Sequence, residues 1–485
     1  MRLCSLRMAA PTSSRRAEPV IRGLILAASL ALAGCAATAG LPLDAQPVAV
    51  TVVRDGDRWT AEYRLPRAAP AWAFIRSADA ERTGQSWRAA SWTVDTPGVR
   101  LERIGRYDAL VADRGNVPPV VRIRFTPFTD ELRADYVPAL ALGGGTVALF
   151  DDHFLVFSAP SRDMVAGLPV DLSGEPIGDS GTRVTFRDSA GPLLHRGRRS
   201  PEVTTQNSNS YILFGARDPI VTDAMAAVID PALPGWLAAS LRELTPAILS
   251  RYAAELGPAP GGPPTLLASW VGPTPGRSSM NGGVVPGTMV MRFEGEGVVE
   301  RNAELLNLAR WFIAHEGSHF WLGQAVRYER SRHAWILEGG ADLLAIRTVQ
   351  ALDPAYDWKG ELNRAIRDCA ALTENRGAAG AEHRREHRAY YACGAVFALL
   401  AEAKSGRPFS AFVRGLVDAN REDGVLTRDE WLDAFDIVAR DPSLRRDIET
   451  LLDQGSPAPK PALVSLLRRA GIPHVVGEDG TPRLQ

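Results

Sequence analysis

Two histidines and two glutamates in the middle of the chain have the types and the spacing of a metal site. The segment from His315 to His319 reads H-E-G-S-H, so its two imidazoles are four residues apart and face one side of a helix. Glu338 follows after eighteen further residues. Two neutral imidazoles and one carboxylate fill three positions of a tetrahedral zinc ion and leave the fourth for water. We therefore expect one zinc ion per chain on His315, His319 and Glu338, with Glu316 placed as the base that takes a proton from water.

Two helices are predicted to carry these residues. The stretch 302–326 is mostly apolar, and no proline occurs between Pro286 and Pro354. A second helix is predicted over residues 334–352, because the residue before a proline disfavours helical backbone. Asp342 lies four residues after Glu338 on this helix, so we expect it to accept a hydrogen bond from a zinc-binding histidine.

Three segments resemble motifs of the aminopeptidase N family of gluzincin metallopeptidases. HEGSHFWLG from His315 resembles H-E-x-x-H-x-W-F-G, WILEGGA from Trp335 resembles W-L-x-E-G-x-A, and YACGA from Tyr391 resembles Y-x-K-G-A. The resemblance covers about residues 220–472 and extends to the glycyl aminopeptidase branch. It implies an α+β fold, with an N-terminal β-sandwich domain followed by a thermolysin-like, mostly helical zinc peptidase catalytic domain.

The resemblance also implies an activity, the zinc-dependent hydrolysis of peptide bonds in a peptide or protein substrate. In the family, the tyrosine of Y-x-K-G-A stabilises the tetrahedral intermediate, a role that falls to Tyr391 here. Tyr390 is its immediate rival, since neighbouring residues on a helix point about 100° apart. The family's lysine is replaced by Cys393.

One departure concerns the substrate's amine. The family's aminopeptidases carry a G-x-M-E-N motif before the helix with the H-E-x-x-H motif, and the glutamate of G-x-M-E-N holds the substrate's free amine. The corresponding segment here, around Met280-Asn281, has no glutamate. Glu294 and Glu296 are candidate replacements, but both follow the strand at residues 288–293, along which we expect an extended peptide to lie. We therefore predict that the enzyme tolerates a blocked N-terminus, leaving its exo or endo preference open.

Two other functions remain open from the residues alone. One is a related hydrolase acting on a non-peptide amide or an epoxide. The other is a surface lipoprotein that binds a partner through its β domain and has a structural zinc site. A structural site has no need of a glutamate beside its first histidine, so Glu316 favours catalysis.

The first residues are predicted to direct export. A basic segment and an apolar run at 23–33 end in L-A-G-C at Cys35, which resembles a bacterial lipobox, so we expect Cys35 to be lipidated. An ordinary cleaved signal peptide is the alternative. We divide the chain into a signal peptide (1–34), a tether (35–46), a β-sandwich domain (47–216), a catalytic domain with C-terminal helices (217–475) and a tail (476–485). The expected location is a bacterial membrane, at the periplasmic face of the outer membrane.

Charge and cysteine content support this assignment. Removing residues 1–34 takes away five arginines and one glutamate and leaves 50 basic and 55 acidic side chains, so no nucleic-acid partner is predicted. Cys369 and Cys393 then remain as an even pair in an oxidising compartment, where a disulfide between them is one expectation and two buried thiols the other. The oligomeric state is not predicted.

Overall fold

The structure is a computed structural model that describes residues 4–7, 25–26, 46–169, 172, 175, 177 and 181–485. Two short strands precede the first domain, β1 (Cys4–Arg7) and β2 (Ile25–Leu26). The expected lipidation site, Cys35, and nearly all of the predicted signal peptide and tether lie outside the described residues. None of the helices in the described ranges combines the length and the apolar character needed to cross a bilayer.

The first domain is built mostly of strands, and some of them, such as β3 (Ala49–Asp55), alternate buried and more exposed side chains. Val48, Val50 and Val52 are buried, and the residues between them are more exposed. The elements are β3 (Ala49–Asp55), β4 (Arg58–Arg64), β5 (Ala71–Phe74), α1 (Trp87–Ser91), β6 (Trp92–Val94), β7 (Val99–Ile104), β8 (Tyr107–Ala112), β9 (Val120–Phe125), β10 (Ala139–Ala141), β11 (Val147–Phe150), β12 (Val156–Ala159), α2 (Arg162–Gly167), β13 (Arg183–Asp188), β14 (Leu193–His195), β15 (Arg198–Ser200), β16 (Glu202–Gln206) and β17 (Tyr211–Phe214).

These strands form three sheets rather than the two of a simple sandwich. The six-stranded sheet has the order β16-β13-β3-β4-β9-β6, and the four-stranded sheet has the order β12-β5-β8-β7. The third sheet, β10-β11-β17-β14-β15, contributes to a separate apolar cluster shared with the catalytic domain. The extra sheet therefore serves as the surface on which the two domains pack.

The second domain begins with short strands and continues almost entirely as helices. Its elements are β18 (Ile220–Val221), β19 (Ala226–Ile229), α3 (Gly235–Leu256), β20 (Thr265–Trp270), β21 (Ser279–Val285), β22 (Thr288–Glu294), α4 (Ala303–Ser318), β23 (Arg327–Tyr328), α5 (Trp335–Leu352), α6 (Trp358–Leu372), α7 (Ala381–Arg384), α8 (Arg388–Ser405), α9 (Phe409–Ala419), β24 (Val425–Leu426), α10 (Arg428–Ala439), α11 (Pro442–Asp453), α12 (Pro459–Arg469), β25 (His474–Val476) and β26 (Pro482–Leu484).

The sheet beside helix α4 differs from one expectation, the strand that would receive a peptide. Its order is β18-β19-β20-β22-β21-β1-β2, so β22, the strand expected to receive a peptide, is paired on both sides. Because β21 folds back on β22 as a hairpin, β21 separates β22 from the outer strands, and β1 pairs with it antiparallel. In this structure β21 lies between β22 and β1, so an extended peptide could reach β21 only in place of β1.

Both faces of this sheet are covered, which explains why β22 is buried throughout. On one face, Met289, Met291 and Phe293 join the large core with helices α3 and α4. On the other face, Val285 and Val290 pack against the third sheet of the first domain. The first domain thereby lies directly against the strands that border the metal site.

The C-terminus is not a free tail. Strands β25 and β26 pair as a hairpin that includes most of the segment assigned as a tail from the sequence, residues 476–485. The backbone N–H of Leu484 donates to the side chain of Asn363 on α6 at 2.8 Å, and Leu484 is buried. Short strands of this kind give no clear periodic signal in a sequence.

Candidate metal centre

Helix α4 delivers both histidines to the interior. Asn302 caps its start by accepting a hydrogen bond from the N–H of Leu305 at 2.8 Å. The helix ends at Ser318, so His319 is its C-terminal cap rather than an interior residue. His315 is fully buried and His319 nearly so. The four-residue spacing still brings the two imidazoles together, with their ring centroids 4.9 Å apart.

Three nitrogen and oxygen atoms converge on one point. The Nε2 atoms of His315 and His319 are 3.2 Å apart, and they lie 3.5 and 3.7 Å from Oε2 of Glu338 on helix α5. In the described part of the chain, these residues form the one group of three or more potential metal ligands whose ligand atoms lie so close together. The arrangement is the one expected from the sequence.

These distances fit a zinc ion. A tetrahedral ion with bonds of about 2.0–2.1 Å spaces its ligand atoms about 3.3–3.4 Å apart. Nδ1 of His315 pairs with Asp342 Oδ1 at 2.9 Å, and Nδ1 of His319 pairs with the carbonyl of Leu322 at 2.8 Å. Since these oxygens are acceptors, each Nδ1 carries the donated proton, and the two Nε2 lone pairs face each other. Two facing lone pairs repel unless a positive charge lies between them, so the donor set itself calls for a cation.

The protonation behaviour of the two imidazoles agrees with this. Burial opposes charge on His315, but its hydrogen bonds to Asp342 and Glu338 raise its pKa to about 10. Burial lowers the pKa of His319. Without a metal, His315 therefore carries a second proton, on the Nε2 that faces Glu338, whereas burial favours neutral His319. A metal cation replaces that proton, so its binding is coupled to proton release.

Glu316 lies beside the candidate metal ligands but is not one of them. Its side chain is buried, and among the described residues neither of its carboxylate oxygens has a hydrogen-bond partner. Burial raises the pKa of this carboxyl to about 8. A buried carboxyl with a pKa near neutrality and no hydrogen bonds is poised to exchange protons with a bound molecule.

Two glycines bring helix α8 against α5. A side chain at Gly339 would place its Cβ atom 2.1 Å from the backbone of Gly394, and one at Gly394 would come within 2.1 Å of the carbonyl of Trp335. Only glycine allows backbones to approach this closely. This close contact between α5 and α8 lies one residue from Glu338 and about one turn from Tyr391. It therefore sets the distance between Glu338 and Tyr391.

The two tyrosines have different surroundings. The ring of Tyr391 is nearly parallel to that of His315, with centroids 5.7 Å apart and an angle of 19°. The hydroxyl of Tyr390 donates to the carbonyl of Ala379 at 3.1 Å. The structure thus brings Tyr391 to the metal ligands and directs Tyr390 towards a neighbouring backbone segment.

Helix α6 is tied to α8 on both sides of Tyr391. Cys369 and Cys393 are joined as a disulfide, with their Cα atoms 4.8 Å apart. Next to this bond, Nε of Arg388 donates to Asp368 at 2.8 Å. Sequence reasoning did not identify Arg388, although this residue lies three positions before Tyr391 and therefore on a similar face of the helix.

The first domain also reaches the site. The hydroxyl of Tyr136 donates to the carbonyl of Val284 on β21 at 3.1 Å, and burial followed by the charge of Glu316 raises the pKa of Tyr136 well above its usual value. Glu131 accepts hydrogen bonds from Asn281 and, at 3.0 Å, from Arg292. Sequence reasoning missed these residues, because nothing local indicates that they approach strands about 150 positions away.

Glu294 is unsuited to the role of a replacement anchor. It is fully buried and pairs with Arg82 at 2.5 Å, Arg277 at 3.1 Å and Arg292 at 3.2 Å. Burial alone would raise its pKa, yet the hydrogen bond from Arg82 and the charge of Arg292 lower it to about 2. The carboxylate of Glu294 is therefore engaged in joining the two domains.

Comparison with known proteins gives solved structures of similar architecture. No protein-family profile matches the sequence, and no curated protein matches it. An M1 zinc metallopeptidase from Deinococcus radiodurans, solved with a Tyr-Ser-Ala substrate, is 14% identical over 85% of this chain and 95% of its own, with a TM-score of 0.47. The native leukotriene A4 hydrolase of Saccharomyces cerevisiae is 11% identical over 85% of this chain and 68% of its own, with a TM-score of 0.48. Likeness at this level carries no argument about the chemistry of this chain, which rests on the geometry described above.

Proposed function

We propose that the chain is a zinc metallopeptidase that hydrolyses peptide bonds with one zinc ion, held by His315, His319 and Glu338. The observation that carries this proposal is the convergence of three ligand atoms beside Glu316, a buried carboxylate that is not itself a ligand. A bound zinc ion supplies Lewis-acid chemistry at this point, polarising the scissile carbonyl and making water more acidic. A purely structural zinc site has no use for Glu316.

The protein's own residues then move the protons. Glu316 accepts a proton from the attacking water as its oxygen bonds to the carbonyl carbon, and it later passes that proton to the leaving nitrogen as the C–N bond breaks. Tyr391 donates a hydrogen bond to the oxyanion of the tetrahedral intermediate. Asp342 orients the imidazole of His315 by accepting the hydrogen bond from its Nδ1–H.

The peptide lies along the edge of β21. Support comes from β1, which pairs antiparallel with β21 in the register Ser5 to Asn281 and Leu6 to Met280. Residues 4–7 belong to the segment expected to be removed on export, and an extended substrate can then occupy the same edge. Main-chain pairing of this kind gives affinity without demanding a particular side chain.

One acid that the sequence analysis did not identify, Glu131, lies near the edge strand β21. Glu131 lies beside Asn281, but Arg292 already compensates its charge. A free ammonium group therefore finds no excess negative charge here, which supports tolerance of a blocked N-terminus. One peptide compared with and without N-acetylation tests this. If acetylation abolishes cleavage, the tolerance is refuted, and slower cleavage of the free peptide by Glu131→Gln would then assign Glu131 as the amine anchor.

We further propose export and lipid anchoring through Cys35. The support is the basic segment, the short apolar run and the L-A-G-C sequence alone. A Cys35→Ser variant is expected to leave the membrane fraction and to lose lipid labelling. Retention in the membrane with unchanged labelling would refute the anchor without affecting the catalytic proposal.

Activity is tested by mass spectrometry of peptide mixtures incubated with the purified, zinc-loaded chain. We expect cleavage products that are absent with Glu316→Gln, although that variant still binds zinc. Cleavage at equal rates by both proteins would exclude the mechanism. Zinc binding without any cleavage in either protein would favour the structural alternative.

A further inference from the structure

Arg388 links the ligand shell to a helix that provides no ligand. It is the first residue of α8, and its guanidinium lies between Asp342 on α5 and Asp368 on α6. Nε donates to Asp368 Oδ2 at 2.8 Å, while Nη1 lies 3.6 Å from Asp342 Oδ2. The second distance is that of an ion pair rather than a hydrogen bond.

Asp342 is held between two positively polarised groups. Its Oδ1 pairs with Nδ1 of His315, and its Oδ2 faces Arg388. Its side chain is only 6% exposed, and within the described ranges its ion-pair partners are His315 and Arg388. A buried carboxylate needs a nearby positive charge, and a partner on each oxygen fixes the plane of the group.

We propose that Arg388 is a positioning residue for the metal centre, acting through Asp342 on the imidazole of His315. The inference rests on the proposed zinc site. Arg388 holds the carboxylate of Asp342 in the plane that accepts the His315 Nδ1–H, and Asp368 holds the guanidinium. Arginine suits this task because its planar group can face two carboxylates at once, whereas lysine presents a single compact charge.

The sign of one measurement separates positioning from a simple effect of charge. Arg388→Gln removes a positive charge near a cation site, so an effect of charge alone would strengthen zinc binding. Positioning predicts the opposite, since a loosened Asp342 orients His315 less well. We expect roughly 3–10-fold weaker zinc binding in Arg388→Gln, less than the 10–100-fold typical of a direct partner of a ligand. Arg388→Lys should recover part of the loss.

A double-mutant cycle tests whether Arg388 affects zinc binding through Asp342. Zinc affinity is measured on the full chain by competition with a chromophoric chelator for wild type, Arg388→Gln, Asp342→Ala and the double variant. If Arg388 acts through Asp342, its substitution has no further effect once Asp342 is gone. Thermal unfolding of each metal-free protein shows that the variants fold. Arg347→Gln is the matched control. Arg347 on α5 pairs with Glu402 on α8, so it joins the same two helices as the pair of Arg388 and Asp342, and its side chain is about as exposed as that of Arg388.

The outcomes distinguish this inference from the proposed function. Three results would overturn the role of Arg388 and leave the zinc site intact. The first is zinc binding by Arg388→Gln that is equal to or tighter than that of wild type. The others are an Arg388→Gln effect of the same size in the Asp342→Ala background, or a loss of zinc affinity in Arg347→Gln equal to that in Arg388→Gln. If wild type and His319→Ala bind zinc equally, the proposed site fails, and the role of Arg388 fails with it.

Discussion

The molecule contains two buried groups of charged side chains that differ in how they are bonded. In the first domain, Arg88 is fully buried beside Asp108 at 3.2 Å and donates to the carbonyls of Arg76 and His153, both at 2.6 Å. Its guanidinium also lies over the ring of Phe74, 4.2 Å from the centroid. We call this group the Arg88 cluster. Its opposite charges meet each other directly.

The metal ligands are equally buried but arranged in the opposite way. Two imidazole nitrogens and a carboxylate oxygen point at one another, and the oxygens of Glu316 have no hydrogen-bond partner among the described residues. Burial lowers the pKa of His153, beside Arg88, to about 3, so it stays neutral, whereas His315 retains a proton. The comparison teaches that burial alone does not mark a functional site. The mark is the convergence of three potential ligand atoms on one point beside a carboxyl whose two oxygens both lack a hydrogen-bond partner, whereas the Arg88 cluster leaves only single nitrogens of Arg88 and His153 without one among the described residues.

The largest expected effect is on the rate of hydrolysis. Glu316→Gln keeps the size of the side chain but removes the base, so activity should fall by roughly 10²–10⁴-fold. Because Glu316 is not a ligand, zinc affinity should stay within about threefold of wild type. Steady-state kinetics and chelator competition on the same preparation check both statements. A variant that loses zinc together with activity would place Glu316 in the ligand set instead.

The next effect concerns stability and belongs to the Arg88 cluster. Asp108→Ala leaves a buried guanidinium without its carboxylate, so the free energy of unfolding should fall by about 3–5 kcal/mol. Chemical denaturation measures this loss. Zinc affinity of the folded variant should be unchanged, because no ligand or ligand partner is altered. A large loss of zinc affinity would contradict the separation of the two groups.

A smaller effect is expected at the second layer of the metal site. Asp342→Ala removes the acceptor for His315 Nδ1–H, so zinc should bind about 10–100-fold more weakly. Asp342→Asn keeps an oxygen acceptor and should lose less. Chelator competition ranks the three proteins. Equal affinity in all of them would remove Asp342 from the site.

The last expected effect is a dependence of metal-free stability on pH. Burial raises the pKa of Glu316 to about 8 in the folded chain, and hydrogen bonds, working against burial, raise that of His315 to about 10. The folded protein therefore holds protons that the unfolded chain has released, from about pH 4.5 for the glutamate and 6.5 for the histidine. Stability should fall as pH rises through these windows, by an amount on the order of a kcal/mol or more.

Thermal unfolding of chelator-treated protein at pH 6, 7.5 and 9 measures this trend. Glu316→Gln is the matched control, since it should retain only the part due to His315. Zinc loading should remove the part due to His315, because the cation replaces the proton on that imidazole. A melting temperature that rises from pH 6 to pH 9 without metal would mean that the cluster does not hold protons as described.

The sequence was most informative where the relevant distances are local. The spacing of His315 and His319 and that of Glu338 and Asp342 follow helical geometry, so both pairs could be placed without a structure. The alternating burial along β3 (Ala49–Asp55) is likewise a local pattern that can be read from the residues. These features depend on the chain's nearest neighbours and little else.

The features that escaped prediction depend on long-range packing. The position of β21 outside β22 is a matter of strand order, which local pattern does not encode. Glu131 reaches the site only because the third sheet of the first domain packs against β21 and β22. Arg388 gains its role from α6 and α5, which meet α8 at its first turn. In each case, the role of the residue follows only from the relative positions of two or more secondary-structure elements.

The central claim is that His315, His319 and Glu338 together hold one zinc ion beside Glu316. Anomalous diffraction at the zinc absorption edge, from crystals of the zinc-loaded chain, tests it most directly. We predict a single strong peak about 2.0–2.2 Å from Nε2 of both histidines and from a carboxylate oxygen of Glu338. A peak bound elsewhere in the protein, or no peak between these three side chains, would contradict the account.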